Sequence, residues 1–167
     1  MGGYHLAELN IARFRAPMDA PELADFVAAL QPVNALADAA DGFVWRLQTE
    51  EGDATAIRAF EDPLMLVNMS VWESLEQLRA FAYTNRAHVS IMRRRREFAE
   101  AMAEAYLVLW WVPAGHLPSV DEAKERLEVL RASGPTPHAF TFRASFPPPE
   151  DGAVAEVVED DRWLCPA

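Results

Sequence analysis

The residues with a claim to chemistry in this 167-residue chain are His88, Asn10 and a set of polar side chains placed inside strands. An imidazole changes charge near neutral pH, so His88 can serve as a base or a hydrogen-bond donor if a cavity brings a ligand to it. Helical spacing puts His88, Met92 and Arg95 on one side of a segment. The alternative for His88 is a helix-flank histidine bonded to a carbonyl. In YHLAELNIARF, Glu8 and Asn10 share a side; in GFVWRLQT, Arg46 and Gln48 do; in LMLVNMSVW, Asn68, Ser70 and Trp72 do. A mid-strand amide such as Asn68 needs a partner across strands or in a cavity. Taken together, and with Tyr106 and Trp110 added, these groups have the composition of a pocket that orients a mostly apolar ligand through a few polar contacts. In that pocket Asn10, Asn68 and Arg46 orient or polarise a ligand, Ser70 lies beside them, Trp72 walls the site, and Glu8 and Arg46 are candidates for an ion pair. Tyr83 and Trp110 could stack on an aromatic ligand, against the commoner role of strand aromatics in packing.

The elements that must position these residues follow from periodicity. Residues 4–14 alternate as a strand. Asp19 and Pro21 open a helix with Leu23, Phe26, Val27 and Leu30 as its stripe, kinked at Pro32 and ended at Asp41-Gly42. A second strand runs over 42–49, and a long exposed connection reaches Asp62-Pro63. The central strand alternates Met65, Val67, Met69 and Val71 against Asn68, Ser70 and Trp72. Ser74 caps the helix that follows, which carries Leu75, Leu78 and Ala82 and breaks or restarts at Thr84-Asn85. AYLVLWWV is a buried strand, Ser119 caps a helix that stops at Gly134-Pro135, and 139–146 is a last strand. This order predicts an α+β fold, a ferredoxin-like βαββαβ antiparallel sheet with helices on one face and an extra C-terminal helix and strand. One domain spans 1–146, and 147–167 is an acidic, proline-rich tail. With the helices on the oily sides of the strands, the polar face is left bare and needs a cover.

Composition excludes several classes. A net charge of −11 with 51% hydrophobic residues describes a globular chain with no attraction to nucleic acid or anionic membrane. The run Arg93 to Arg96 points in four directions on a helix and favours salt bridges with several neighbours over a phosphate-binding stripe. A lone cysteine, Cys165, and the absence of a leader pattern or spanning stretch predict a cytoplasmic protein. The four histidines are scattered, with no HxxxH or ExxH pair, and no GxGxxG, P-loop or GxSxG motif occurs, so neither a metal nor a cofactor is expected.

The order of elements, with VNMSVWESLEQLRAFAY leading into a histidine-bearing helix, resembles the dimeric α+β barrel (ferredoxin-like) superfamily. GFVWRL, NMSVWES, HVSIMRRRREF, LWWVPAGHLPSVDEA and GPTPHAFTFR are similar to a domain-of-unknown-function family within it, related to antibiotic-biosynthesis-type monooxygenases; the likeness covers residues 5–146. It implies a homodimer in which two sheets pack face to face, covering the bare face. It also implies a cofactor-independent, monooxygenase-like enzyme acting on a hydrophobic, aromatic or polyketide-like molecule, with His88 and Asn10 as catalytic residues. Asn10 and His88 also match two positions used by haem-degrading relatives, but Phe81 stands where those have tryptophan, and haem is not expected. The rival expectation is a non-catalytic small-molecule-binding or stress-associated barrel using the same cavity.

Overall fold

The computed structural model describes residues 3–149 and the backbone of 156–157. Strands β1 (Tyr4–Arg13), β2 (Phe43–Arg46), β3 (Met65–Trp72) and β4 (Leu107–Pro113) form an antiparallel sheet in the order β2-β3-β1-β4. Between them run α1 (Ala24–Asp38), introduced by a 3-10 turn at Pro21–Leu23, then α2 (Leu75–Thr84), α3 (Arg86–Arg93) and the single turn α4 (Arg95–Phe98). After β4 come α5 (Val120–Ser133) and the two-residue strands β5 (Ala144–Ser145) and β6 (Glu156–Val157), which pair with each other. This is the predicted ferredoxin-like βαββαβ arrangement with its C-terminal additions. β6 falls in the segment expected as tail; most of the remainder of 147–167, Cys165 included, lies outside the described residues.

The local signals act as expected. Ser74 Oγ accepts from the Gln77 amide and starts α2. Asn85 ends α2 and its Oδ1 accepts from the His88 amide at 3.1 Å, which starts α3 in a new direction. Ser119 caps α5 in the same way, and Gly134, at φ 70°, ends it. Pro32 sits inside α1, which continues through it to Asp38.

Two differences concern the faces. The helices α2 and α3 do not take the side bearing Met65, Val67, Met69 and Val71. Leu75, Leu78 and Ala82 of α2 pack with Leu6, Trp72, Leu107 and Leu109, the side shared with Glu8, Asn10 and Ser70. Trp72 decides this: its ring is the largest apolar group on β3 and meets Phe43 edge-on and Phe81 at a tilt, with centroids 5.5 and 5.4 Å apart. The oilier side is buried within the chain by α5, through Ala123, Leu127 and Leu130, with Ile57, Ala59 and Phe60 of the long connection packed alongside. No sheet face is bare among the described residues.

Second, β2 is shorter than the 42–49 reading, and its register slips at Val44, so that Phe43 opposes Trp72 while Trp45 opposes Val71. The bulge sends Phe43 and Trp45 to opposite faces, where strict alternation would keep them together. Gly42 just before β2 has φ 76°, and a Cβ there would run into the Gln77 side chain, which is hydrogen-bonded to Ser74 and Asp41. Gly42→Ala is therefore expected to lower stability by about 1–3 kcal/mol in urea unfolding, from the left-handed backbone and the displaced side chain together.

Candidate functional site

Helix α1 buries none of its own residues, although Phe26, Ala29, Leu30 and Val33 form an inward apolar face. The same is true of α3 with Ile91 and Met92. Both helices stand over a cavity of about 170 Å³ rather than on packed sheet. Its floor is the polar side of the sheet where Asn10 and Asn68 oppose each other across β1 and β3. Asn68 lies in the middle of β3, paired with Asn10 of β1 but past the end of the β2 ladder, which stops at Ser70, and is exposed at the cavity. Asn34, Arg46, Asp53, Thr55, His88 and Arg95 supply the rest of the polar lining, and Phe98 and Ala99 add to the apolar part.

His88 is placed by its own helix start. Its Nδ1 lies 2.9 Å from the Ala82 carbonyl, which can only accept, so Nδ1 carries the hydrogen and Nε2 carries the lone pair of the neutral ring. Burial lowers the pKa of His88, partly offset by that hydrogen bond, so the ring is neutral at neutral pH. Its face meets Phe81 at 5.2 Å between centroids. The geometry is that of an oriented imidazole whose basic nitrogen is not used by the Ala82 contact.

Behind Asn10 lies a buried hydrogen-bond chain. Trp72 Nε1 donates to Ser70 Oγ at 2.9 Å, Ser70 Oγ donates to Glu8 Oε2 at 3.0 Å, and Asn10 Nδ2 donates to Glu8 Oε1 at 2.6 Å. Glu8 is only 6% exposed. Burial raises its pKa to about 7 against the opposing effect of the Asn10 and Ser70 bonds. The carboxyl thus stands near its midpoint at neutral pH, one hydrogen bond from a cavity residue.

The residues singled out from sequence therefore divide. His88, Asn10, Asn68 and Arg46 meet in the cavity lining. Ser70 and Trp72 are on the same face but buried in the Glu8 chain behind it. Arg46 is not paired with Glu8: its Nε lies 2.7 Å from Asp38 and its Nη1 donates to the Gly52 carbonyl at 2.7 Å. The reason is that α1 ends beside β2, bringing Asp38 within reach while Glu8 is enclosed by its own partners. Trp110 opposes Ala7 and so belongs to the other face, where its Nε1 donates to Glu122 on α5 at 3.0 Å. Tyr83 turns away to meet Phe142 edge-on at 5.9 Å. Tyr106 lies under Arg95, whose guanidinium carbon is 4.0 Å from the ring centre. Glu8 as a buried acid and Arg95 as a lining residue were not selected, although the shared side of His88, Met92 and Arg95 was the available signal.

A match to the family described as "Domain of unknown function (DUF3291)" spans residues 5–156. The chain belongs to the DUF3291 family. Two solved structures resemble this DUF3291 chain. One is titled "Putative antibiotic biosynthesis monooxygenase from Nitrosomonas europaea", with 13% sequence identity, 70% of this chain and 93% of that one covered, and a TM-score of 0.42. The other is a protein of unknown function from the same organism, with 17% identity, 70% and 96% covered, and a TM-score of 0.41. A search of curated proteins gives no match. Among the described residues no group of three or more His, Cys, Asp and Glu side chains has the arrangement to hold a metal ion, and no helix is long and apolar enough to cross a membrane.

Proposed function

We propose that this DUF3291 chain is a cofactor-independent, monooxygenase-like enzyme that holds a hydrophobic, aromatic small molecule between the sheet, α1 and α3. The observation that carries this reading is the exposure of Asn68 at the floor of an apolar-walled cavity whose lining includes an oriented, neutral His88. An apolar pocket with a few convergent polar groups and a perturbed titratable group is a common form of small-molecule site. In this reading Asn10 and Asn68 orient an oxygen of the ligand, and His88 Nε2 removes a proton from an adjacent activated carbon. The carbanion then reacts directly with dioxygen. Overall a CH2 group and O2 give C=O and H2O, one oxygen atom entering the product and the other leaving as water. Arg46, fixed by Asp38 and Gly52, shapes the rim. Because both sheet faces are covered within one chain, the homodimer that belongs to this reading joins copies at helices or strand edges.

The test uses 2-indanone, a ketone whose activated methylenes flank one aromatic ring. It is expected to shift the Met92 methyl resonance, to exchange its methylene hydrogens in D2O faster than in buffer alone, and under labelled dioxygen to yield a diketone carrying one labelled atom. Ala29→Trp places an indole in the cavity from α1 and is expected to abolish binding at a stability cost of no more than about 1–3 kcal/mol in urea unfolding. Binding without exchange or oxygen incorporation would replace this reading with the non-catalytic binder, for which the Ala82 bond and Phe81 contact of His88 would be purely structural.

A further inference from the structure

We infer that the cavity is built for a ligand with a carboxylate on a single aromatic ring, and that Arg95 is the group that recognises it. The inference rests on the cavity being a ligand site, as proposed above, and names what fills it. Among the described residues two arginines line the cavity, and only one is neutralised within the chain: Arg46 meets Asp38, as Arg13 meets Asp62 and Glu100, Arg94 meets Asp25 and Glu97, and Arg131 meets Glu128 elsewhere. Arg95 lines the cavity and meets no carboxylate among them. Its Nη2 donates to the Ile11 carbonyl at 3.2 Å and its plane lies over Tyr106, which fixes the fork while leaving most of its five N–H donors uncommitted. The acid that shares the lining, Asp53, forms no ion pair with Arg95; its Oδ1 accepts from the amide and hydroxyl of Thr55, at 2.8 and 2.6 Å.

Arg95 is thus a part-buried cation beside apolar walls with no ion-pair partner among the described residues, a place that suits an anion. A cation withdrawn from water is costly until a counter-charge meets it, and a planar fork favours a carboxylate in two-point contact. Volume supplies the second half of the inference. About 170 Å³ is close to the ~150 Å³ of an apolar cavity that accepts benzene. One aromatic ring fits between Leu30 and Val33 of α1 and Ile91 and Met92 of α3, whereas two fused aromatic rings would protrude.

The experiment titrates the full chain with benzoate, benzamide and toluene, following the Met92 methyl resonance, assigned by Met92→Leu. Benzoate is expected to bind about 10- to 100-fold more tightly than benzamide, the effect of a charged over a neutral hydrogen-bonded partner. That advantage should shrink as sodium chloride is raised, since an ion pair open to solvent is screened. Arg95→Gln should remove the advantage by weakening benzoate far more than benzamide, with Arg95→Lys keeping part of it. Equal binding of benzoate and benzamide in the wild type, insensitive to salt, overturns the inference while leaving the cavity reading intact. If none of the three probes moves the Met92 signal, both fall. The wild-type comparison needs no variant, so destabilisation from a lost Tyr106 stack cannot obscure the result.

Discussion

His88→Asn is expected to slow catalysed hydrogen exchange of 2-indanone by about 10²- to 10⁴-fold while changing its binding less than about threefold. The substitution is chosen for its geometry. The amide nitrogen of asparagine stands near the place of an imidazole Nδ1 and can go on donating to the Ala82 carbonyl, the bond that measures 2.9 Å in the wild type. What disappears is Nε2, the only ring nitrogen left with a lone pair once Nδ1 is committed. A structural histidine and a catalytic one therefore part company in this variant. The pH profile adds a second separation. Burial disfavours the imidazolium, so the base stays neutral below its ordinary value of 6.5, and the acid limb of the wild-type rate should lie below that pH and vanish in the variant. Exchange measured by NMR in D2O across that range reads both quantities. An undiminished rate, or a loss of binding and stability together with the rate, would assign His88 to the helix junction alone.

Much of this was visible in the residues themselves. Caps are local, and Ser74, Asn85 and Ser119 act where the sequence puts them because an N-cap needs only its own helix. Alternation in β1 and β3 separated the two sides correctly, and Asn10 and Asn68 do face each other across those strands. What alternation could not give was which side the helices cover. Counting oily residues favoured the methionine and valine side, yet α5 buries that side from the far end of the chain. Trp72 outweighs its polar neighbours in choosing a partner for α2. The parity of β2 was hidden by the bulge at Val44, and that of Trp110 by a run in which every residue is apolar. The lining role of α1 was illegible for another reason: a helix over packed sheet and a helix over a cavity carry the same stripe, and only the missing burial tells them apart.

Glu8→Gln is expected to alter the pH dependence of stability by about 3 kcal/mol between pH 4.5 and 8. In the unfolded chain Glu8 titrates near 4.5, and in the fold burial carries it to about 7. Below the first value both states hold the proton and the acid contributes no pH dependence. Between the two the unfolded chain has lost its proton and the fold has not, so unfolding gains ground with every step in pH. Above about 7 both are ionised and the loss is complete, at about 1.4 kcal/mol for each pH unit separating the values. Glutamine keeps the outline of the side chain, can accept from Asn10 and donate to Ser70, and has nothing to titrate, so other groups cancel in the difference between the two unfolding curves. The variant should fall behind or match the wild type at pH 5 and overtake it at pH 8 in urea unfolding; parallel curves would mean that Glu8 is ionised throughout. The same variant speaks to the cavity. An ionised Glu8 holds the Asn10 amide nitrogen, which leaves the Asn10 Oδ1 as its acceptor, whereas a protonated one can donate and release that constraint. If the carboxyl orients Asn10, 2-indanone binding by the wild type should change through pH 7 and binding by Glu8→Gln should not, which separates a positioning acid from one that merely burdens the core.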